Sequence, residues 1–392
     1  MLVKVMSMAE SFIPFARPPI GQEEIDAVVD TLRTDWITTG PKTQEFSDAL
    51  REYLGAPGVL PLNSCTAALH TALVTWGIGP GDEVITTPMT FAASVNVIEH
   101  VGAKPILVDV QPDTLNVDPE KVAAAVADKT RAIIPVHYTG HPADLDEINE
   151  IAKLHRLHVL EDAAHAIPAK YRGRTIGAGK NPVAFSFYAT KNLTTAEGGA
   201  LTGSPEFLDK ARVVSLHGMS RDAWKRYGKE GSWFYEIVLP GFKYNMTDIQ
   251  AALGLCQLRK LAGFQRRRLE IVRKYNEAFR SVYSFQVPTQ RDYVEHAWHL
   301  YVLRLNLDVI RIGRDQFIDE LKTAGIGTSV HFIPVHLHPY YRDKYGYRPE
   351  QYPVAYENYR RMLSLPLYPS LRDSEVERII ESVLDIAHKN KR

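Results

Sequence analysis

Residues 83–203 carry the runs EVITTP (83–88), FAASVNVIEHV (91–101), KPILVDV (104–110), DPEKVAAAVAD (118–128), RAIIPVHY (131–138), DLDEINEIAKLH (144–155), HVLEDAA (158–164), PVAFSFYA (182–189) and GALTG (199–203). Short β-branched runs alternate with amphipathic helical ones. Near-continuous apolar strands joined by crossover helices predict an α/β fold, a mostly parallel central sheet with helices on both faces, and a ligand site at the carboxyl ends of its strands. Upstream of these runs, SCTAALHTALVTWGIGPGD predicts a helix capped by Ser64, with Leu69, Ala72, Leu73 and Trp76 on one buried stripe and glycines ending it. Residues 217–244 lack periodicity and read as a long functional loop. The pattern from Thr247 predicts a helix of more than thirty residues, long enough to bridge two bodies. The expected division is a large domain over 1–245, a connecting helix over 246–281 and a smaller C-terminal α+β domain over 282–392. The last should contain strands at AWHLYVLRL and GTSVHF, a helix at GRDQFIDELKTAG and closing helices near 353–364 and 373–388.

The 392 residues balance 46 basic against 46 acidic side chains. That neutrality gives no global attraction to nucleic acid or to an anionic membrane. Cys65 and Cys256 are the only cysteines, so neither a disulfide framework nor a four-cysteine zinc pattern is expected, and a reducing cytoplasm fits best. No apolar run is long enough to span a membrane, and the opening lacks a secretion signal.

Three pieces of sequence carry chemistry. HVLEDAAHA ends a buried strand with Glu161 and Asp162, whose side chains must point to opposite faces. Asp162 is the candidate to meet a cationic ring nitrogen, a metal or a ribose hydroxyl; capping the next helix is the alternative. In FSFYATKNLTTAEGGAL, Lys191 follows an aromatic strand, where partial burial would lower its pKa toward the range in which an amine attacks carbonyls. A plain surface lysine is the alternative, although the hydroxyls of Ser186, Thr190 and Thr194 crowd the same turn as a phosphate would require. The helix start at NSCTAALH offers free N–H groups with the Ser64 and Thr66 hydroxyls, an arrangement suited to an anion. A phosphate cradle, a carboxylate for a ring nitrogen and a Schiff-base lysine are the contacts that pyridoxal phosphate requires.

NSCTAALH, GIGPGDEVITTPMTF, AIIPVHYTGHPADLDEI, EDAAHA, FSFYATKNLTTAEGGAL, PGFKYNMTDIQAALGLCQL and GIGTSVHF occur in this order over about residues 12–388. The chain thereby resembles the DegT-type nucleotide-sugar aminotransferases of the fold type I pyridoxal phosphate superfamily. Within them, DWITTGPKTQEF, VHYTGHPADLD and EHAWHLYVLRL are most similar in style to the subgroup that makes UDP-4-amino-4-deoxy-L-arabinose for lipid A modification. The resemblance implies that Lys191 forms the Schiff base, that Asp162 bonds the pyridine nitrogen and that His165 lies near the ring hydroxyl. It assigns phosphate contacts to Thr66, Ala67 and Ser186, ring stacking to Phe91, and a substrate-side role to His331. It also implies that Asn245 reaches the cofactor of a neighbouring subunit, hence a homodimer with shared active sites. Cys65 stands where many relatives have glycine and is expected to fill space.

The activity so implied is transamination of a UDP-, GDP- or dTDP-linked 4-keto-6-deoxy or 4-keto pentose sugar, with glutamate as donor and 2-oxoglutarate as coproduct. It would serve cell-surface polysaccharide or lipid A modification. A 3-keto sugar or a non-catalytic pyridoxal phosphate-binding regulator are the alternatives. His331, His336 and His338 lack a carboxylate partner, so no metal is expected. The run QRRRLEIVRK reads as a solvated helix face, GIGPGD as a helix stop, and Tyr188 and Trp298 as core aromatics.

Overall fold

The computed structural model describes residues 12–220 and 234–392, so part of the expected 217–244 loop lies outside the described residues. A strand outside the alternating runs comes first, β1 (Val59–Leu62); the runs then become β2 (Glu83–Thr86), β3 (Lys104–Leu107), β4 (Thr130–Ile133), β5 (His158–Val159) and β6 (Glu161–Asp162). A hairpin of β7 (Lys170–Tyr171) and β8 (Arg174–Thr175) follows, then β9 (Val183–Ser186) and β10 (Gly199–Thr202). One part of the sheet orders β3-β2-β4-β5, all parallel. The other orders β6-β9-β10-β1, where only β10 runs against its neighbours. A parallel bridge from Val136 to Asp162 joins the two parts just beyond the ends of β4 and β5.

The apolar continuity of the strands has a direct cause. Val84 and Ala132 pack into the cluster containing Leu69 and Leu73, whereas their neighbours Ile85 and Ile133 pack into an opposite cluster with Val122 and Ile148. Both faces of the sheet are therefore buried. The helix Cys65–Thr75 begins as expected, with Ser64 Oγ accepting from the Ala67 N–H at 3.0 Å, and Leu69, Ala72 and Leu73 are buried. Trp76 closes it, stacked on the His158 ring at 4.4 Å. β10 passes so close to this helix start that a Cβ on Gly199 would stand 2.4 Å from the Cys65 nitrogen. Only glycine permits that approach.

The long helix Asp248–Phe279 starts with a reciprocal cap between Thr247 and Gln250. Its first turns place Ala251, Leu255 and Leu261 in the core of the sheet domain, and its last turns place Ile271, Tyr275 and Phe279 in the C-terminal core. Ile13, near the start of the described chain, also belongs to the C-terminal core. Arg268 is the exception to the solvated-face reading of QRRRLEIVRK: Arg266 and Arg273 are exposed, but Arg268 is buried and donates to the Leu367 carbonyl at 2.7 Å.

Beyond the helix, β11 (Phe285–Gln286), β13 (Tyr301–Leu305) and β14 (Met362–Leu365) form an antiparallel sheet, while β12 (Val294–Glu295) joins the β7–β8 hairpin. Met362–Leu365 corrects the expected helix, which stops at Arg361; these four residues are all buried, and Leu363 and Leu365 enter the C-terminal core. GTSVHF makes only a single bridge, Ser329 to Ser364, instead of a strand, and Ile326 just before it bridges Ile13. A further apolar cluster, including Met89, Tyr138, Leu300, Val335 and Met362, ties this region to the large sheet beside the strand ends.

Candidate active site

The loops at the carboxyl ends of β1, β6 and β9 enclose a cavity of about 560 Å³. Its wall includes Thr66, Phe91, Asp162, His165, Ser186, Lys191 and His331, residues gathered from distant parts of the chain. Ala67 is buried behind this wall, its N–H committed to Ser64. Asn245 does not line the cavity of its own chain; it donates to Thr39 Oγ1 at 2.6 Å.

Strand alternation separates the two acids as expected. Glu161 is buried among protein groups, with His137 Nε2 at 3.0 Å and the Asn181 amide at 2.8 Å. Asp162 faces the cavity, where its carboxylate accepts from Ser94 Oγ at 2.7 Å and from the Ala164 N–H at 3.1 Å. Those donors fix its orientation while leaving lone pairs for a further donor. Cys65 packs between Asp162 and the Ala184 carbonyl, and burial pushes its thiol well above the ordinary range. It fills space, as expected, and is unsuited to act as a nucleophile.

Lys191 lines the same cavity. Burial lowers its amine to about 8, partly offset by Cys65 and Asp162. Burial also holds His165 well below the usual imidazole range, followed in effect by Lys191 and His331. His331 is lowered to about 4 by burial and then Lys191; its Nδ1 lies 2.9 Å from Ser364 Oγ and its ring stacks on Phe15 at 5.2 Å. The cavity histidines are thus neutral at pH 7.

Several features of the wall fit pyridoxal phosphate. The buried His165 Nδ1 lacks a hydrogen-bond partner among the described residues, so the pocket holds an unmet polar group. Phe91 presents an aromatic ring that is 65% exposed, which a stacked heterocycle would cover. Thr66 at the helix start and Ser186 at the end of β9 supply cavity-lining hydroxyls suited to a phosphate. Thr194 is a correction to the hydroxyl cluster: its Oγ1 donates to the Phe187 carbonyl and accepts from the Ala196 N–H, which closes the lysine loop.

Sequence reasoning missed other members of the wall. His299 and Phe332 enclose His165, with ring centroids 4.4 and 5.6 Å away. Phe15 also enters from the N-terminal segment. Tyr188 lines the cavity and is 47% exposed, contrary to its reading as core, whereas Trp298 is buried. The available signal for His299 was a paired histidine pattern, His296 and His299, immediately before β13. Among the described residues no group of three or more histidine, cysteine or acidic side chains could hold a metal. No described helix is long and apolar enough to cross a membrane.

This fold and site define a fold type I pyridoxal phosphate enzyme. Residues 18–384 match the DegT/DnrJ/EryC1/StrS aminotransferase family. The spore coat polysaccharide biosynthesis protein SpsC of Bacillus subtilis is 51% identical over 96% of this chain and 97% of its own. The putative sugar aminotransferase Spr1654 of Streptococcus pneumoniae, solved in a PLP form, superposes with a TM-score of 0.90 at 38% identity, over 96% of this chain and 99% of its own. PseC of Helicobacter pylori, described as an aminotransferase of pseudoaminic acid biosynthesis, gives a TM-score of 0.89 at 28% identity over 97% and 100%. The chain belongs to the DegT/DnrJ/EryC1/StrS aminotransferase family and is a pyridoxal phosphate-dependent sugar aminotransferase.

Proposed function

We propose that this enzyme transfers the amino group of glutamate to the 4-keto carbon of a sugar carried on a nucleoside diphosphate, for assembly of a cell-surface polysaccharide. The observation that carries the reading is one cavity lined by both Lys191, its amine lowered by burial, and Asp162, its carboxylate oriented by Ser94. The names of SpsC and PseC, a polysaccharide protein and an amino-sugar aminotransferase, support the class of product.

Bound pyridoxal phosphate supplies an aldehyde for amine capture and an electron sink for proton loss at the adjacent carbon. Lys191 would hold that aldehyde at rest and, once displaced by donor, move a proton between the substrate carbon and the cofactor's C4′. Asp162 would hold the proton on the pyridine nitrogen. His165 would accept or donate at the ring hydroxyl, Phe91 would stack on the ring, and the Thr66 and Ser186 hydroxyls would grip the phosphate at a helix N-terminus. His331, fixed by Ser364, would touch the sugar side.

A homodimer belongs to the same proposal. The helix Gln22–Arg33 buries Glu24 against Gln257 and Lys260 yet presents Ile25, Val29 and Leu32 to solvent, continued by Trp36 and Ile37. An exposed apolar stripe of this kind needs a partner. Asn245 is tied to it through Thr39 and would reach the neighbouring cavity.

The half-reactions test the function. Added glutamate should bleach the visible band of the PLP enzyme, and a UDP-, GDP- or dTDP-linked 4-keto sugar should restore it with release of a 4-amino sugar. Restoration by 3-keto sugar nucleotides alone would contradict the assignment of the amination site.

A further inference from the structure

We propose that His299 reads the sugar: its Nε2 accepts a hydrogen bond from a substrate hydroxyl, a role that rests on the sugar-aminotransferase reading above. His299 lines the cavity while remaining almost wholly buried. Its Nδ1 lies 3.2 Å from Asn192 Oδ1. The Asn192 amide cannot be turned around, because its Nδ2 donates to two carbonyls, Ile167 at 3.0 Å and Ala297 at 2.8 Å. An amide oxygen placed there would meet two acceptors. Asn192 Oδ1 therefore faces the imidazole as an acceptor, and the ring proton sits on Nδ1. That tautomer leaves Nε2 with a bare lone pair, the remaining ring nitrogen for a ligand.

The charge state agrees. Burial, then His165, Lys191 and Arg268, hold the His299 imidazole well below its ordinary range. The backbone is also shaped for the purpose. Trp298, immediately before it, has φ +47° and Thr139 has φ +59°, both in the left-handed region that bulky and branched residues avoid. The His299 and Leu300 N–H groups donate to the Thr139 carbonyl at 3.0 and 3.3 Å, and the Ala297 N–H to the Gly140 carbonyl at 2.9 Å, which pins this conformation. Strain of this kind beside a cavity persists where it aims a side chain. Asn192 follows Lys191, so one loop positions the reacting amine and fixes the histidine tautomer.

A bare, neutral acceptor selects among the substrates. The carboxylates of the amino donor are themselves acceptors and gain nothing from a lone pair, and the donor's amine goes to the reacting carbon beside Lys191. The sugar hydroxyls are neutral donors. A buried site built for a hydroxyl discriminates strongly against an analogue without it, because its own acceptor is then left unpaired.

The test measures both half-reactions of the holoenzyme in single turnovers, with glutamate and with a UDP-linked 4-keto sugar, in wild type and His299→Phe. Phenylalanine keeps a flat ring and removes the acceptor. The sugar half-reaction should lose about tenfold to a hundredfold in kcat/KM, as expected for one lost hydrogen bond to a buried site, while the glutamate half-reaction changes less than about threefold. His299→Gln places an amide where Nε2 stands and should recover part of the loss, whereas His299→Asn should not. If the phenylalanine variant does not bind PLP, the Gln and Asn variants make the same comparison. Equal losses in both half-reactions, no loss in either, or equal rates for the Gln and Asn variants would overturn the proposal. A wild type inert toward every keto-sugar nucleotide would instead overturn the functional reading beneath it.

Discussion

Replacing Lys191 with alanine should lower steady-state transamination by about a thousandfold or more, within the range general acid–base groups supply and beyond. The variant should remain folded and still hold pyridoxal phosphate, since Asp162, Phe91, Thr66 and Ser186 are untouched. Added methylamine or ethylamine should restore part of the rate, because the missing function is an amine at a fixed place. The same group sets the pH dependence. With its pKa lowered to about 8 by burial, roughly a tenth of the Lys191 amines are neutral at pH 7, against fewer than roughly one in a thousand for an ordinary lysine near 10.4. Capture of pyridoxal phosphate by apoenzyme should therefore rise about tenfold per pH unit up to about 8 and level above it. Stopped-flow absorbance checks this, and a midpoint above 10 would show that the amine is not buried as described.

Asp162→Asn is the second large effect. The substitution preserves shape and can keep one acceptor toward Ser94 Oγ or the Ala164 N–H, yet it removes the charge that would hold a proton on the pyridine nitrogen. Loss of a single oriented electrostatic partner in a buried site costs about 10²–10³ in kcat. The bound cofactor should remain, with a shifted visible spectrum reporting an altered ring nitrogen. A variant with wild-type kcat and spectrum would mean that Asp162 serves only the local fold through Ser94 and Ala164.

What was legible in the sequence was local. The Ser64 cap, the stripe of Leu69, Ala72 and Leu73, and the two-faced burial of Val84 and Ile85 depend on periodicity and neighbouring hydrogen bonds. The opposition of Glu161 and Asp162 follows from strand alternation alone. What was not legible depends on long-range closure. Ser94 orients Asp162 from 68 residues away, and Asn192 fixes His299 across 107. Thr194 resembled a phosphate ligand because its hydroxyl sits in the right loop, yet that hydroxyl satisfies the loop's own backbone. Arg268 looked solvated because its neighbours are basic, but the long helix turns it inward to carbonyls of the C-terminal domain. Met362–Leu365 followed a helical pattern until β13 offered it a pairing edge.

If Lys191 is the residue that carries the cofactor, its amine is bonded to pyridoxal phosphate in the resting enzyme. Treating the holoenzyme with sodium borohydride, digesting it and mapping the pyridoxyl-phosphate mass by tandem spectrometry asks this directly. The modification should appear on the peptide containing Lys191 and be absent when the enzyme is first converted by excess glutamate. Labelling of another lysine, or none in an enzyme that transaminates, would contradict it.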